Sequence, residues 1–227
     1  MCGRLDQHHT AADYVQAMHW PRAEPRFGGQ AAPSYNASPG TYRPLLRLID
    51  DRLTVDDLFW GYRAAWAAAR MPIAINARLE KLSNRYWQPL VAAGRAIVPA
   101  DGWYEWTGDK GRRQPWHVHL KSGEPMFLAA LAGAGPAHDH PAEAGFAIVT
   151  VEAEGGMVDM HDRRPVVLSA RDAALWLDPG LSAHQAEHLA RAMGLGPEQF
   201  TWHAVGPEVG RAGSEGAQLA AQLDLPI

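Results

Sequence analysis

Short apolar runs alternating with polar residues, each closed off by turn-forming residues, fill the middle of the chain. Leu45–Ile49, Leu53–Trp60, Arg95–Pro99, Trp103–Trp106, Trp116–Leu120, Met126–Leu131 and Phe146–Val151 have this pattern and read as strands, with a further short one at Val166–Leu168. Asp50-Asp51, Gly108-Asp109-Lys110-Gly111 and Ser122-Gly123 supply the turns between them. Strands so closely spaced predict a mostly antiparallel barrel or sandwich. Helical periodicity appears only toward the ends. Thr10 precedes Tyr14, Val15 and Met18, Ser169 and Asp172 open a run to Trp176, and Ser182 with Gln185 has capping-box spacing ahead of Ala186–Met193. The Gly- and Pro-rich stretches Gly28–Gly40 and Gly133–Gly145 read as long surface loops, and no repeat or linker divides the chain. The expectation is an α+β fold: one domain over residues 1–227, with a β-rich, barrel-like, mainly antiparallel centre and peripheral helices.

Composition narrows the setting. With 227 residues and 47% hydrophobic content, the chain is long enough to bury a full core. One cysteine excludes an internal disulfide, no apolar run is long enough to span a membrane, and the polar, His-rich start is unlike a secretory signal. A soluble protein of a reducing cytoplasm is expected, and nothing demands more than a monomer. The net charge of −4 and pI of about 6.2 exclude a protein that coats nucleic acid through bulk charge, so any such contact must be a local patch. Of 21 basic residues only Lys81, Lys110 and Lys121 are lysines; the other 18 are arginines, whose planar fork suits phosphate.

The lone cysteine is Cys2. Removal of Met1 would leave an α-amine and a thiol on adjacent carbons, with ordinary pKa values of about 8 and about 8.5. Such a pair condenses with an aldehyde, the amine forming an imine and the thiol closing a thiazolidine ring. The closure is intramolecular, with effective molarities that reach roughly 10⁵ M or more.

Six ordered motifs surround that residue: Met1-Cys2-Gly3-Arg4, Tyr35-Asn36-Ala37-Ser38-Pro39-Gly40, Trp60-Gly61-Tyr62 with Trp66, Ile75-Asn76-Ala77-Arg78-Leu79-Glu80, Ala100-Asp101-Gly102-Trp103-Tyr104-Glu105-Trp106, and Met160-His161-Asp162-Arg163-Arg164-Pro165-Val166. Over residues 1 to about 205 the chain resembles the SOS-response-associated peptidase (SRAP) family. That resemblance implies recognition of abasic sites in single-stranded DNA. It also implies their capture as a covalent crosslink through the N-terminal cysteine, which shields the lesion during the DNA damage response. A ring-opened abasic deoxyribose is itself an aldehyde, so the implied chemistry and the reading of Cys2 meet. Ser38 and Ala64 depart from the family's usual alanine and proline, and Val205–Glu215 lacks its asparagines, so no role is carried over beyond Val205 and the tail 206–227 stays unassigned.

The resemblance implies Cys2, Asn76, Glu105 and His161 as catalytic residues. Asn76 would lie beside the cysteine, Glu105 would shuttle protons from an apolar setting that raises its pKa, and His161 would open the sugar as an acid. Without the motifs, Asn76 is a turn residue, Glu105 a solvent-facing side chain on an alternating strand and His161 part of a charged loop. For DNA, Arg4, Arg78 and Arg85 would hold phosphates, and Pro39 and Trp66 would pack against or wedge bases. A core tryptophan and a loop proline are the plain alternatives for the last two. Thr150 would bond a phosphate or the Cys2 backbone, and Arg163 and Arg164 would brace the fold. His117-Val118-His119 and His138-Asp139-His140 have metal-like spacing, but no third ligand or cysteine is evident, so no metal or other cofactor is expected. Two other functions fit the residues: an N-terminal-nucleophile peptidase, with Cys2 attacking an amide, and a non-catalytic single-strand binder.

Overall fold

All the expected strands form, and the computed structural model, which describes residues 2–20, 24–67, 70–109, 113–133 and 140–223, adds six more. In chain order they are β1 (Leu5–Gln7), β2 (Arg26–Phe27), β3 (Ser34–Ala37), β4 (Tyr42–Ile49), β5 (Arg52–Phe59), β6 (Asn76–Arg78), β7 (Arg95–Ala100), β8 (Gly102–Thr107), β9 (Gln114–Leu120), β10 (Met126–Ala132), β11 (Phe146–Glu152), β12 (Arg163–Pro165), β13 (Val167–Leu168) and β14 (Phe200–Ala204). The helices are α1 (Ala11–Ala17), α2 (Gln88–Ala93), α3 (Ala170–Trp176) and α4 (Ala183–Met193). Thr10, Ser169 and Ser182 cap α1, α3 and α4 as expected, each hydroxyl accepting a backbone N–H three residues on. The β4–β5 hairpin turns on Asp50 and Asp51 at φ 51° and 59°, left-handed conformations that a short polar side chain tolerates and a tight hairpin needs.

One sheet is ordered β14-β9-β8-β1-β3; the larger is ordered β12-β11-β10-β7-β4-β5-β2, with β13 beside β10 and β6 beside β11. Among the described residues, β6–β11 and β2–β5 are the parallel strand pairs, beside an isolated parallel bridge between Trp60 and Phe146. Neither path closes on itself, so the centre is two open sheets rather than a barrel. The larger sheet is the middle layer, buried on both faces. Along β10, Phe127, Ala129 and Leu131 pack into a core with Trp176, Ala186 and other helical residues, while Met126, Leu128 and Ala130 face the smaller sheet and meet Leu5, Trp103 and Cys2. Two faces covered by protein explain why this strand is an uninterrupted apolar run.

Two expectations on Gly/Pro-rich stretches change. Gly28–Gly40 is not one loop, because it contains β3, an antiparallel partner of β1. The Asn36 amide on β3 donates to the carbonyls of Arg211 and Ser214 (2.9 and 3.1 Å), and Glu215 accepts from the Ser34 hydroxyl and from the Tyr35 amide at 2.9 Å. The C-terminal segment is thereby fastened to an edge strand. Residues 134–139 of the second stretch, with His138 and Asp139, lie outside the described residues, as do 110–112 of one expected turn. Among the described residues no helix is long and apolar enough to cross a membrane.

Candidate active site and nucleic-acid interface

The start of the chain is built into the sheet. β1 lies between β3 and β8, with Leu5 opposite both Ala37 and Trp103, and the Arg4 carbonyl accepts from the Tyr104 amide at 3.0 Å. This threading carries Cys2 into the apolar space between the sheets, where it is fully buried. Across that space, the Ile75 carbonyl accepts from Trp60 Nε1 (3.1 Å) and from the Ile148 amide (3.1 Å). The next residue, Asn76, opens β6 and donates from Nδ2 to the Cys2 carbonyl at 3.0 Å. Its Oδ1 is buried without a hydrogen-bond partner among the described residues. The asparagine thus holds the cysteine and keeps a spare acceptor in a dry setting, which makes it more than a turn residue.

Glu105, on β8 opposite Trp116, is only 3% exposed. Burial pushes its carboxyl up to about 7, against the pull of the positive amino terminus, and Asp162 pushes the same way as burial. Glu105 is therefore an internal carboxyl able to exchange a proton near neutrality, and not a solvent-facing side chain. Cys2 departs from the expectation of a freely ionising thiol. Burial, then the neighbouring Glu105, drives its pKa far above the ordinary range, while the amino terminus and the Arg4 amide pull weakly the other way. The thiol is held neutral beside a group able to take its proton.

His161 follows a 3-10 turn, Gly155–Asp159, whose Met157 packs between the sheets. Its Nδ1 accepts the Arg163 amide at 3.0 Å and lies 2.7 Å from the well-exposed Asp162 carboxylate. Burial, then the positive amino terminus, lowers its pKa below the ordinary histidine value, because the water-screened Asp162 compensates only in part. The downward shift favours the neutral ring; the Arg163 amide on Nδ1 favours the tautomer that offers Nε2–H as a donor, and the Asp162 carboxylate on the same nitrogen favours the other. Glu105 acts on Cys2, and Asp162 acts on both Glu105 and His161, so Cys2, Glu105 and His161 share one electrostatic neighbourhood.

The residues expected to touch DNA divide. Trp66 is 63% exposed and not in the core; Arg85 stacks over its ring at 5.3 Å and Tyr86 meets its edge. Arg78 is exposed on β6, two residues beyond Asn76. Arg4 lines a hollow with Trp106 and Arg113, and its Nε and Nη1 are out of water with no acceptor among the described residues. An arginine so placed favours an incoming anion. Arg113, which no motif marks, joins this set only because β9 begins beside β8. Pro39 is half-buried in the turn between β3 and β4. Thr150 is 1% exposed, and its carbonyl accepts from Arg163 Nη2 at 2.9 Å, so its placement favours packing over a phosphate contact.

Arg163 and Arg164 brace the fold. Arg163, on β12, makes a bidentate pair with Glu80, both contacts 2.9 Å, and so clamps the segment after β6 to β12, while its bond to the Thr150 carbonyl adds β11; Arg164 lies over the Phe200 ring at 5.9 Å. Replacing Arg163 by Ala is expected to cost roughly 1–3 kcal/mol, since the Thr150 carbonyl is left buried without that donor. Thermal unfolding measures it, and an unchanged midpoint would show that water replaces the guanidinium.

The family model described as SOS response associated peptidase (SRAP) matches residues 1–212. An abasic site processing protein of Escherichia coli K12, YedK, is 39% identical over 222 residues, covering 96% of this chain and 98% of its own. One from Bacillus subtilis, YoaM, is 31% identical over 79% of this chain and 80% of its own. The solved structure of a phage-related protein from Bordetella bronchiseptica superposes with a TM-score of 0.77 at 37% identity, over 90% of this chain and 94% of that one. A Bacteroides thetaiotaomicron structure at 16% identity shares the fold alone, with a TM-score of 0.76. With its buried second-position cysteine, an asparagine on the cysteine carbonyl and a raised glutamate beside it, the chain, matched by the family model over residues 1–212 and 39% identical to a relative over 96% of its length, belongs to the SOS response associated peptidase (SRAP) family.

Proposed function

We propose that this protein, as a single SRAP-like domain over residues 1–227, recognises abasic sites in single-stranded DNA and captures them covalently through Cys2 once Met1 is removed. The observation that carries the reading is the neighbourhood of Cys2: Asn76 Nδ2 on its carbonyl at 3.0 Å and, close by, Glu105 raised to about 7. The abasic-site processing relatives support the same substrate.

The chemistry runs in two stages. The Cys2 amine adds to C1′ of the open sugar, a proton delivered by Glu105 lets the aldehyde oxygen leave as water, and a protonated imine remains. The Cys2 sulfur then adds to the same carbon as the thiol proton passes to the ionised Glu105, and the ring nitrogen keeps the proton it already carries. One C–N and one C–S bond form and one water is lost. Glu105 begins and ends in the same protonation state, as a shuttle must. His161, in the tautomer that the Arg163 amide favours, donates Nε2–H to the sugar oxygen, and Asn76 holds the cysteine backbone in place. Arg4, Arg78 and Arg85 take phosphates flanking the lesion, Trp66 offers a stacking face, and Pro39 borders the space left by the missing base.

Intact mass spectrometry tests this directly. The mature protein should lack Met1 and, mixed with an abasic single-stranded oligonucleotide, gain the mass of the oligonucleotide less one water. Retained Met1, or no covalent gain, overturns the reading.

The DNA face has its own test, a salt titration of binding to the abasic strand. Arg78→Ala and Arg85→Ala should each flatten the slope of log K against log salt by about 0.7. Trp66→Ala should weaken binding by roughly 1–3 kcal/mol with the slope unchanged. Unaltered affinity in all three would put the strand on another face.

A further inference from the structure

We propose that His117, His119 and His203 form a binding site for one divalent transition-metal ion of the zinc class, on the face of the smaller sheet opposite Cys2. His117 and His119 are two apart on β9, and β14 sets His203 directly across from His117. A strand alternates its faces, so the register turns all three rings to one side. Tyr104, paired with His117, shares that side, whereas Glu105 and its partner Trp116 share the other. The third ligand comes from a strand 84 residues beyond His119, and for that reason the His-Val-His spacing alone looked incomplete.

The hydrogen bonds decide which ring nitrogens are free. His119 Nδ1 lies 2.9 Å from the Leu120 carbonyl and His203 Nε2 lies 2.8 Å from the Ala220 carbonyl. A carbonyl only accepts, so each of these nitrogens carries the proton and the opposite one keeps its lone pair. His117 Nε2 lies 3.1 Å from Asp6 Oδ2, an ion-pair contact without hydrogen-bond geometry. Both its ring nitrogens are buried without a hydrogen-bond partner among the described residues, in a residue 6% exposed, so Nε2 faces the carboxylate and Nδ1 is open to a ligand. Metal-binding histidines are oriented in this way, the second nitrogen donating to a carboxylate or backbone carbonyl. One ring nitrogen from each of the three histidines lies within 4.8 Å of the other two. A tetrahedral ion with bonds of about 2.05 Å needs them roughly 3.3 Å apart, a closure within reach of small ring rotations.

The three imidazoles line a cavity of about 190 Å³ with Asp6, His8, His9 and Asp101, leaving room for a water as fourth ligand. Asp101 is not available as that ligand. Its carboxylate already accepts from the amides of His8 and His9, from His9 Nδ1 at 2.6 Å and from the Tyr14 hydroxyl.

The test uses the full-length protein freed of metal by chelator and titrated with zinc sulfate, followed by calorimetry and metal analysis, with cobalt(II) as a spectroscopic probe. One equivalent of zinc should bind at micromolar concentration or tighter, and cobalt should give the intense visible band of a four-coordinate nitrogen site. His203→Ala and the milder His119→Gln should each weaken zinc binding about 100-fold or more. The cobalt band of the unmodified protein stands even if His203→Ala loosens β14. Weak uptake at several sites without that band, an adventitious ion only, overturns the proposal. So does stoichiometric binding that survives both substitutions.

Discussion

A Cys2→Ala protein is expected to lose the heat- and denaturant-stable adduct with abasic single-stranded DNA while still forming an imine that borohydride can trap. Alanine retains the α-amine, so the first bond can form, but an imine is hydrolysed when the protein unfolds and the amine is exposed to water. The sulfur is what converts it to a ring. Because that closure is intramolecular, with an effective molarity on the order of 10⁵ M, no thiol in solution at ordinary concentration replaces it. The heat-stable fraction should fall at least about 100-fold on a denaturing gel. The fold should survive, since the change removes a single sulfur from the apolar space between the sheets. An adduct of wild-type stability from Cys2→Ala without reductant would refute ring closure and leave the amine alone as the crosslinking group.

Much of this architecture is legible along the chain, and what is not shares a physical cause. Strands such as β5, β10 and β11 bury whole faces with their own apolar residues, so their period is visible without knowledge of a partner. β1 and β3 show no such signal, because Asp6, Gln7, Ser34 and Asn36 are buried polar residues, and groups distant in sequence hold several of them. Gln7 donates to the Pro99 carbonyl at 2.7 Å, and Asn36 bonds the C-terminal segment. Helix α2 has no side-chain cap and only a proline in its first turn, so nothing at its start marks it as Thr10, Ser169 and Ser182 mark the others. The site divides along the same line. Its residue types follow from chemical need once the motifs are set side by side, but the titration of each depends on burial. Cys2 is the plainest case, since a terminal thiol in water and one sealed between two sheets have opposite tendencies to ionise.

Burial also reassigns the proton transfers, and the pH dependence of capture reads that reassignment. A limb near the ordinary histidine value would be the natural signature of His161, yet His161 is shifted below it while Glu105 is raised to about 7. Near neutrality, then, the glutamate is the half-protonated group and the histidine favours its neutral form. In the proposed scheme the proton transfers rest on Glu105, which must begin protonated to expel the water and is left ionised to take the thiol proton. Capture should therefore lose rate as pH passes upward through about 7, beyond the loss at low pH that protonation of the amine brings. Glu105→Gln cannot exchange a proton, so this limb should disappear and the rate at neutral pH should drop by roughly 10²–10⁴, the usual worth of a positioned acid–base group. His161→Ala should slow capture and release by a smaller factor, through loss of the Nε2–H contact to the sugar oxygen, and should keep the limb near 7. Stopped time courses of crosslinking across pH for the three proteins separate the roles. A limb that persists in Glu105→Gln and vanishes in His161→Ala would return the shuttle to the histidine.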